Sequence, residues 1–298
     1  LKDDFILLSR FPAYLRKEAI LTGQTCVVEN MITHLNLSTV CQSARCPNRN
    51  ECFADGTAAF LLLGKKCTRN CAFCAVDKGN PEPPDHAEPD KIARAAQKLS
   101  LKHVVLTSVT RDDLEDGGAS HFRLTIKAVR ESLPDSTIEA LIPDFNGNLK
   151  ALDQVLNAEP DILNHNVETV SRLYPVIRPG ADYNRSLQII NSAIKTYPDI
   201  TTKSGLMLGM GETREEILKT MNDLFHAGCE ILTLGQYLAP SGNHYKVSEF
   251  VSPETFCELT RIGLDMGFLA VVAGPFVRSS YHAHETWKEI ISQRKGKK

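Results

Sequence analysis

The side chains able to do chemistry crowd into one stretch of this chain. Six of its nine cysteines fall between residues 41 and 74, in two sets of three. Cys41, Cys46 and Cys52 are spaced C-x4-C-x5-C in "CQSARCPNRNECF", and Cys67, Cys71 and Cys74 are spaced C-x3-C-x2-C in "KKCTRNCAFCAV". Disulfide frameworks belong to short secreted chains. This one has 298 residues, and its first residues, "LKDDFILLSRFPAYL", do not read as a secretory leader. Such tight clusters point to metal instead.

A structural zinc site usually takes four donors in pairs. The 67–74 set offers three, with no fourth cysteine or histidine close behind. Three thiolates on a [4Fe–4S] cube leave one iron without a protein ligand. An iron with an open position can bind and activate a small molecule, so the missing fourth ligand reads as the working feature. For the 41–52 set, a second cluster and a structural zinc completed by a histidine such as His34 both satisfy the spacing. Cys26, Cys229 and Cys257 lack companions and are expected to be structural, the last two as small buried apolar groups.

The elements that must position these groups follow from the hydrophobic pattern. Apolar runs at 58–64, 103–109, 137–143, 162–168, 205–210 and 231–237 read as buried strands. Helix patterns lie between and after them at 90–100, 119–132, 148–158, 184–196, 213–227 and 253–266. Asn184 is the expected cap of one, and Thr213 opens a capping box, "TREE". The proline-rich stretch 79–90 reads as a loop. Strands alternating with helices predict α/β architecture around a parallel sheet, and six units predict a partial (βα)6 barrel. Three regions are expected: an extension over 1–57 carrying the first three cysteines, the barrel over 58–270 and a second extension over 271–298. Working loops of such a barrel lie at the carboxyl ends of the strands, and Cys67, Cys71 and Cys74 directly follow the first strand.

Composition sets outer limits. Hydrophobic residues make up 42% and charged residues 23%, as in an ordinary globular protein. The net charge of −2 offers no global basic field for nucleic acid, and no run approaches the length of a membrane span. Arg45, Arg49, Lys65, Lys66 and Arg69 crowd the cysteines. They read first as charge balance for anionic clusters, and second as a dock for an acidic carrier domain.

The C-x3-C-x2-C loop, with aromatic Phe73 before its last cysteine, resembles the radical S-adenosylmethionine (SAM) superfamily. In that superfamily the open iron chelates SAM, and reductive cleavage yields a 5′-deoxyadenosyl radical. Two further features, the upstream triad and "RSSY" at 278–281, resemble the lipoyl synthase family. So do "CPNRNECF", "TSVTRDDLEDGGA", "NHNVET", "IRPGADY", "KSGLMLGMGET" and "GQYLAPS", over roughly residues 20–285. The resemblance implies insertion of two sulfur atoms, at C6 and C8 of an octanoyl chain held on a lysine of a carrier protein. It implies two [4Fe–4S] clusters and SAM. Cys67, Cys71 and Cys74 would hold the SAM cluster. Cys41, Cys46 and Cys52, with Ser279 as fourth ligand, would hold an auxiliary cluster that donates sulfur.

Gly117 and Gly118, Asn164, Asn166 and Glu168, Lys203 and Gln236 are the expected SAM contacts, each at or near a strand end. The expected partners are octanoylated carrier domains (2-oxoacid dehydrogenase E2 or glycine-cleavage H protein), a low-potential ferredoxin or flavodoxin, and an iron–sulfur assembly carrier. A cytoplasmic monomer is expected, with no nucleic acid or membrane partner. A biotin-synthase-like enzyme with a [2Fe–2S] cluster and a non-catalytic zinc scaffold are the competing readings.

Overall fold

A computed structural model of the chain describes residues 11–16, 23–54 and 58–296. Seven strands form one sheet: β1 (Ala58–Leu62), β2 (His103–Ser108), β3 (Thr137–Leu141), β4 (Ile162–Asn164), β5 (Thr201–Leu208), β6 (Ile231–Gln236) and β7 (Ala270–Gly274). They lie in sequence order and every pairing is parallel, as in Ala58 opposite Val104 and Lys203 opposite Ile231. Ala59 on β1, Leu141 on β3 and Gly235 on β6 line one cavity, so the sheet curves around a common interior. Among the described residues β1 and β7 do not pair, and the barrel stays open. The first six strands are those the apolar runs predict. β7 is an addition, a half-buried edge strand.

The helices are α1 (Gly23–His34), α2 (Val40–Ser43), α3 (Arg49–Ala54), α4 (Glu88–Lys98), α5 (Ala119–Ser132), α6 (Leu149–Leu156), α7 (Tyr174–Ile177), α8 (Tyr183–Thr196), α9 (Arg214–His226), α10 (Pro253–Met266) and α11 (Ala283–Gly296). Period-3.6 patterning predicts α5 and α10 to the residue. Thr213 closes the expected capping box: its hydroxyl accepts from Glu216 N at 3.3 Å, and Thr213 N donates to the Glu216 carboxylate at 2.8 Å. Two expectations shift. Asp182, not Asn184, caps α8, because its carboxylate reaches Arg185 N at 2.7 Å. α4 begins inside the proline-rich stretch, since Pro89 sits in its first turn, where the missing N–H has no intrahelical partner to lose.

β4 ends four residues sooner than its pattern predicts. His165 N donates to Lys203 O and Glu168 N to Gly205 O, so three steps on this strand match two on β5. The extra residue is a bulge, and it turns Glu168 into left-handed backbone at φ 64°. Strand alternation then divides the barrel wall. Outward residues such as Ile138, Leu163, Leu232 and Leu234 are buried under the helices. Inward residues include Glu139, Asn164 and Lys203 near the floor and Leu141 and Met207 near the top.

Candidate active site

The 67–74 loop is tied down on every side. Lys66–Cys67 pairs in parallel with Asp77–Lys78, which folds the loop back on itself. Cys67 Sγ accepts from Arg69 N at 3.4 Å and Thr110 N at 3.3 Å. Ala72 donates its N–H to Ile177 O at 2.8 Å and accepts from Tyr245 N at 2.9 Å. The strongest tie is Arg69, between the first two cysteines of the loop. Its guanidinium donates to Asp112 (2.8 and 2.9 Å) after β2, and to Asp144 (2.7 Å) and Asn146 (2.8 Å) after β3. Arg69 is therefore buried and is no part of a surface dock, unlike exposed Arg45, Lys65 and Lys66.

The upstream set sits on the segment from α2 to α3. Thr39 caps α2 through Gln42 N, which positions Cys41; Cys46 N donates to Cys41 O at 3.0 Å, and Cys52 lies in α3. The RSSY segment approaches from the other end of the chain. Asn48 Nδ2 donates to Phe276 O at 2.6 Å and Tyr281 Oη to Glu51 Oε1 at 2.9 Å, joining the two extensions. Gly235 makes room for this segment: a Cβ there would strike the carbonyl oxygen of Val277.

One cavity of about 410 Å³ faces Cys41, Cys46, Cys52, Cys74 and Ser279. Leu141, Leu206, Met207, Tyr237 and Val277 give it an apolar wall. Burial pushes the Cys41 and Cys74 thiols up to about 11 and raises Cys71 as well, with Arg178 acting against burial at Cys71. Such thiols stay protonated unless a cation takes the proton's place, which suits metal ligands and not free nucleophiles. Among the described residues no three His, Cys, Asp or Glu side chains converge on a single ion. Three thiols at each of two places, with Ser279 facing the same cavity as the upstream three, are a donor set that fits thiolate-held clusters.

The other expected contacts fall into different surroundings. Asn166 and Glu168 line the cavity. Burial raises the Glu168 carboxyl, opposed by the charge of Arg178. Asn164 lies beneath them and bonds to Ser279 and Glu139, and Lys203 pairs with Glu139 at 3.0 Å. The Gln236 carboxamide is spent on backbone, donating to Leu208, Tyr237 and Glu249 oxygens and accepting from Val251 N. Gly117 and Gly118 enter α5 with φ 60° and 92°, and their N–H groups go to Leu114 O and Asp116 Oδ1. A Cβ on Gly118 would strike Leu63. Cys229 is buried as expected, but Cys26 and Cys257 are exposed on their helices.

Residues that spacing did not reveal complete the frame. Arg178 donates to the Asn166 and Val167 carbonyls and to Tyr174 Oη, bracing the bulge that carries Glu168. Glu139 and Arg69 organise the floor and the loop. Their partners come from separate strands, so no local motif marks them.

Residues 61–224 match the model of the radical SAM superfamily. Two solved structures share the fold. Methylornithine synthase (PylB) superposes with a TM-score of 0.54 at 16% identity, covering 83% of this chain and 74% of that one. HydG, a maturase of the [FeFe]-hydrogenase, superposes with a TM-score of 0.56 at 13% identity, covering 94% and 61%. An open parallel barrel with three cysteines in the loop after its first strand is the build of a radical SAM protein. Closer relatives narrow the class. The lipoyl synthase of Caldanaerobacter subterraneus is 53% identical over 274 residues, 92% of this chain and 96% of the relative. That of Geobacter sulfurreducens is 52% identical over 276 residues, 93% and 90%. The chain belongs to the lipoyl synthase family.

Proposed function

We propose that this chain is a lipoyl synthase that places two sulfur atoms, at C6 and C8, on an octanoyl chain carried by a lysine of a lipoyl carrier protein. The supporting observation is an apolar cavity bordered by Cys41, Cys46 and Cys52 of one triad, Cys74 of the other, and Ser279. Cys67, Cys71 and Cys74 would hold the SAM cluster. The auxiliary cluster would rest on Cys41, Cys46, Cys52 and Ser279. When bound, these groups with SAM supply an oxidant able to take hydrogen from unactivated carbon, and the sulfur that replaces it.

The chain's own residues do the rest. Leu141, Leu206, Met207 and Val277 offer an apolar wall to the octanoyl methylenes, each worth about 0.8 kcal/mol when buried. The same wall keeps out water and thiols that would intercept a radical. Arg69 fixes the loop between the first two of its cysteines, so the donors are held before anything binds. Asn166 and Glu168 are the polar groups inside the cavity suited to the amino and hydroxyl groups of SAM. Gly117, Gly118, Lys203 and Gln236, the other SAM contacts suggested by the family resemblance, do not line this cavity; Lys203 is held by Glu139 and Gln236 by Val251 N.

Exposed Arg45 at the cavity and Lys65 and Lys66 beside the loop suit an acidic carrier domain, whether of a 2-oxoacid dehydrogenase E2 or the glycine-cleavage H protein. A low-potential ferredoxin or flavodoxin supplies electrons, and an iron–sulfur carrier restores the consumed cluster. The proposed setting is a reducing cytoplasm, where cysteines stay available to hold clusters. No described helix is long and apolar enough to cross a membrane.

The test is anaerobic incubation with SAM, a reductant and an octanoyl-lysine peptide, followed by mass spectrometry. Two sulfur atoms per peptide are expected, from protein carrying about eight irons per chain. Peptide that gains no sulfur from fully loaded protein would overturn the proposal.

A further inference from the structure

Under the cavity lies a buried polar group that the reading above leaves unexplained. Glu139 on β3 has no exposure to solvent. Its Oε2 accepts from Lys203 Nζ at 3.0 Å and faces His103 Nε2 at 3.2 Å. Burial alone raises this carboxyl, but the Lys203 charge and the His103 contact outweigh it and bring the carboxyl down to about 2. Glu139 is therefore ionised and can only accept hydrogen bonds.

Its other oxygen, Oε1, takes one from Asn164 Nδ2 at 2.7 Å. An acceptor-only neighbour decides which way the amide points, so the NH2 of Asn164 must face Glu139. That NH2 has a second hydrogen, and Ser279 Oγ lies 2.5 Å from the same nitrogen. The Ser279 hydroxyl in turn donates to Asn166 Oδ1 at a longer 3.4 Å. A free serine hydroxyl samples three rotamers. Here one strong, charge-backed donor from the barrel wall selects a single position for the oxygen, at the edge of the cavity that the three upstream cysteines share.

We propose that Asn164 is a positioning residue for the auxiliary cluster. Braced by Glu139, its amide fixes Ser279 Oγ and keeps an N–H bond to that oxygen while it serves as an iron ligand. The inference rests on the reading of Ser279 as the fourth ligand. A serine oxygen that ligates iron would release its hydrogen to solvent as a proton, so the weak bond to Asn166 would be lost. The bond from Asn164 strengthens, because the acceptor now carries negative charge. The ion pair beneath it acts at one remove, by denying the amide any other orientation.

The test uses full-length protein with Cys67→Ala, Cys71→Ala and Cys74→Ala, which leaves only the upstream site, reconstituted anaerobically with iron and sulfide. Mössbauer spectra and the rate of iron loss to a chelator are recorded for this parent and for added Asn164→Ala, Asn164→Ser and Ser279→Ala. Asn164→Ser is smaller and still polar, and it stands in if the alanine variant does not fold. All should load iron through the three cysteines. The expected result is that the Asn164 variants lose the spectral signature of the oxygen-bound iron, as Ser279→Ala does, and release iron about tenfold faster than the parent, the scale of one charge-assisted hydrogen bond. Parent-like spectra and rates in both Asn164 variants, with Ser279→Ala altered, would overturn the positioning role alone. A parent-like Ser279→Ala would overturn the ligand reading and the inference with it.

Discussion

Replacing Arg69 with methionine keeps the length and apolar stem of the side chain and removes its fork of donors. Four hydrogen bonds go with it, two to Asp112, one to Asp144 and one to Asn146. The Asp112 side chain is 31% exposed, so water replaces much of that loss. Asp144 is fully buried, and it keeps the bond from Asn146 N at 3.1 Å and the charge of Arg185, whose Nε lies 3.0 Å away but poorly aligned. Breaking one partner of a buried pair costs about 3–5 kcal/mol, and the exposed half brings the expectation to about 3 kcal/mol. At about 2–4 °C per kcal/mol the melting temperature should fall by roughly 6–12 °C.

The penalty also depends on pH. Burial pushes the Asp144 carboxyl up, but the hydrogen bond and charge of Arg69 bring it below its usual value. A carboxyl lowered by folding adds stability above its unfolded pKa, about 3.9, and loses it as pH falls through the folded value. Without Arg69 burial prevails, the carboxyl rises, and its cost is greatest where it must stay ionised. The gap between parent and variant should therefore be full at neutral pH and narrow as pH approaches that of a free carboxyl. Thermal unfolding followed by circular dichroism at both pH values reads this. A fall of less than about 2 °C at neutral pH, or a gap that widens in acid, would refute the reasoning.

Gly235→Ala should push the RSSY segment away from β6, since the new Cβ meets backbone at Val277. We expect a cost of about 1–3 kcal/mol, and 5′-deoxyadenosine formed with little sulfur inserted, read as the ratio of the two products. Thr213→Ala removes one half of the α9 capping box and should cost about 1 kcal/mol in urea unfolding, with turnover unchanged.

The local features of this protein are written plainly in its residues. Six strands read as continuous apolar runs because a parallel sheet under helices buries both faces of each, and most helices follow from apolar period because each buries one face. β7 escaped that reading. "AVVAG" is short, ends in glycine and lies half-exposed at the sheet edge, so its pattern is faint. The cysteine sets were legible because spacing within one loop is a local property. The ion pairs that hold them were not, since Arg69 draws on loops after β2 and β3, and Glu139 on β2, β4 and β5. A signal was still present: Glu139 and Lys203 each stand inside an otherwise uncharged strand. A charge at such a position needs a buried partner of opposite sign, and each is the other's. Cys257 was expected in the core, but its place on α10 turns it to solvent.

The two chain extensions meet through side chains, Asn48 to Phe276 and Tyr281 to Glu51, and not through a strand ladder. On the proposed reading, a sulfur store lodged on that seam would belong to neither half of the molecule alone. Parting the two side-chain contacts would then bare the spent centre and leave the pairings of the seven-strand wall whole, so it could be recharged like a cartridge without being unmade.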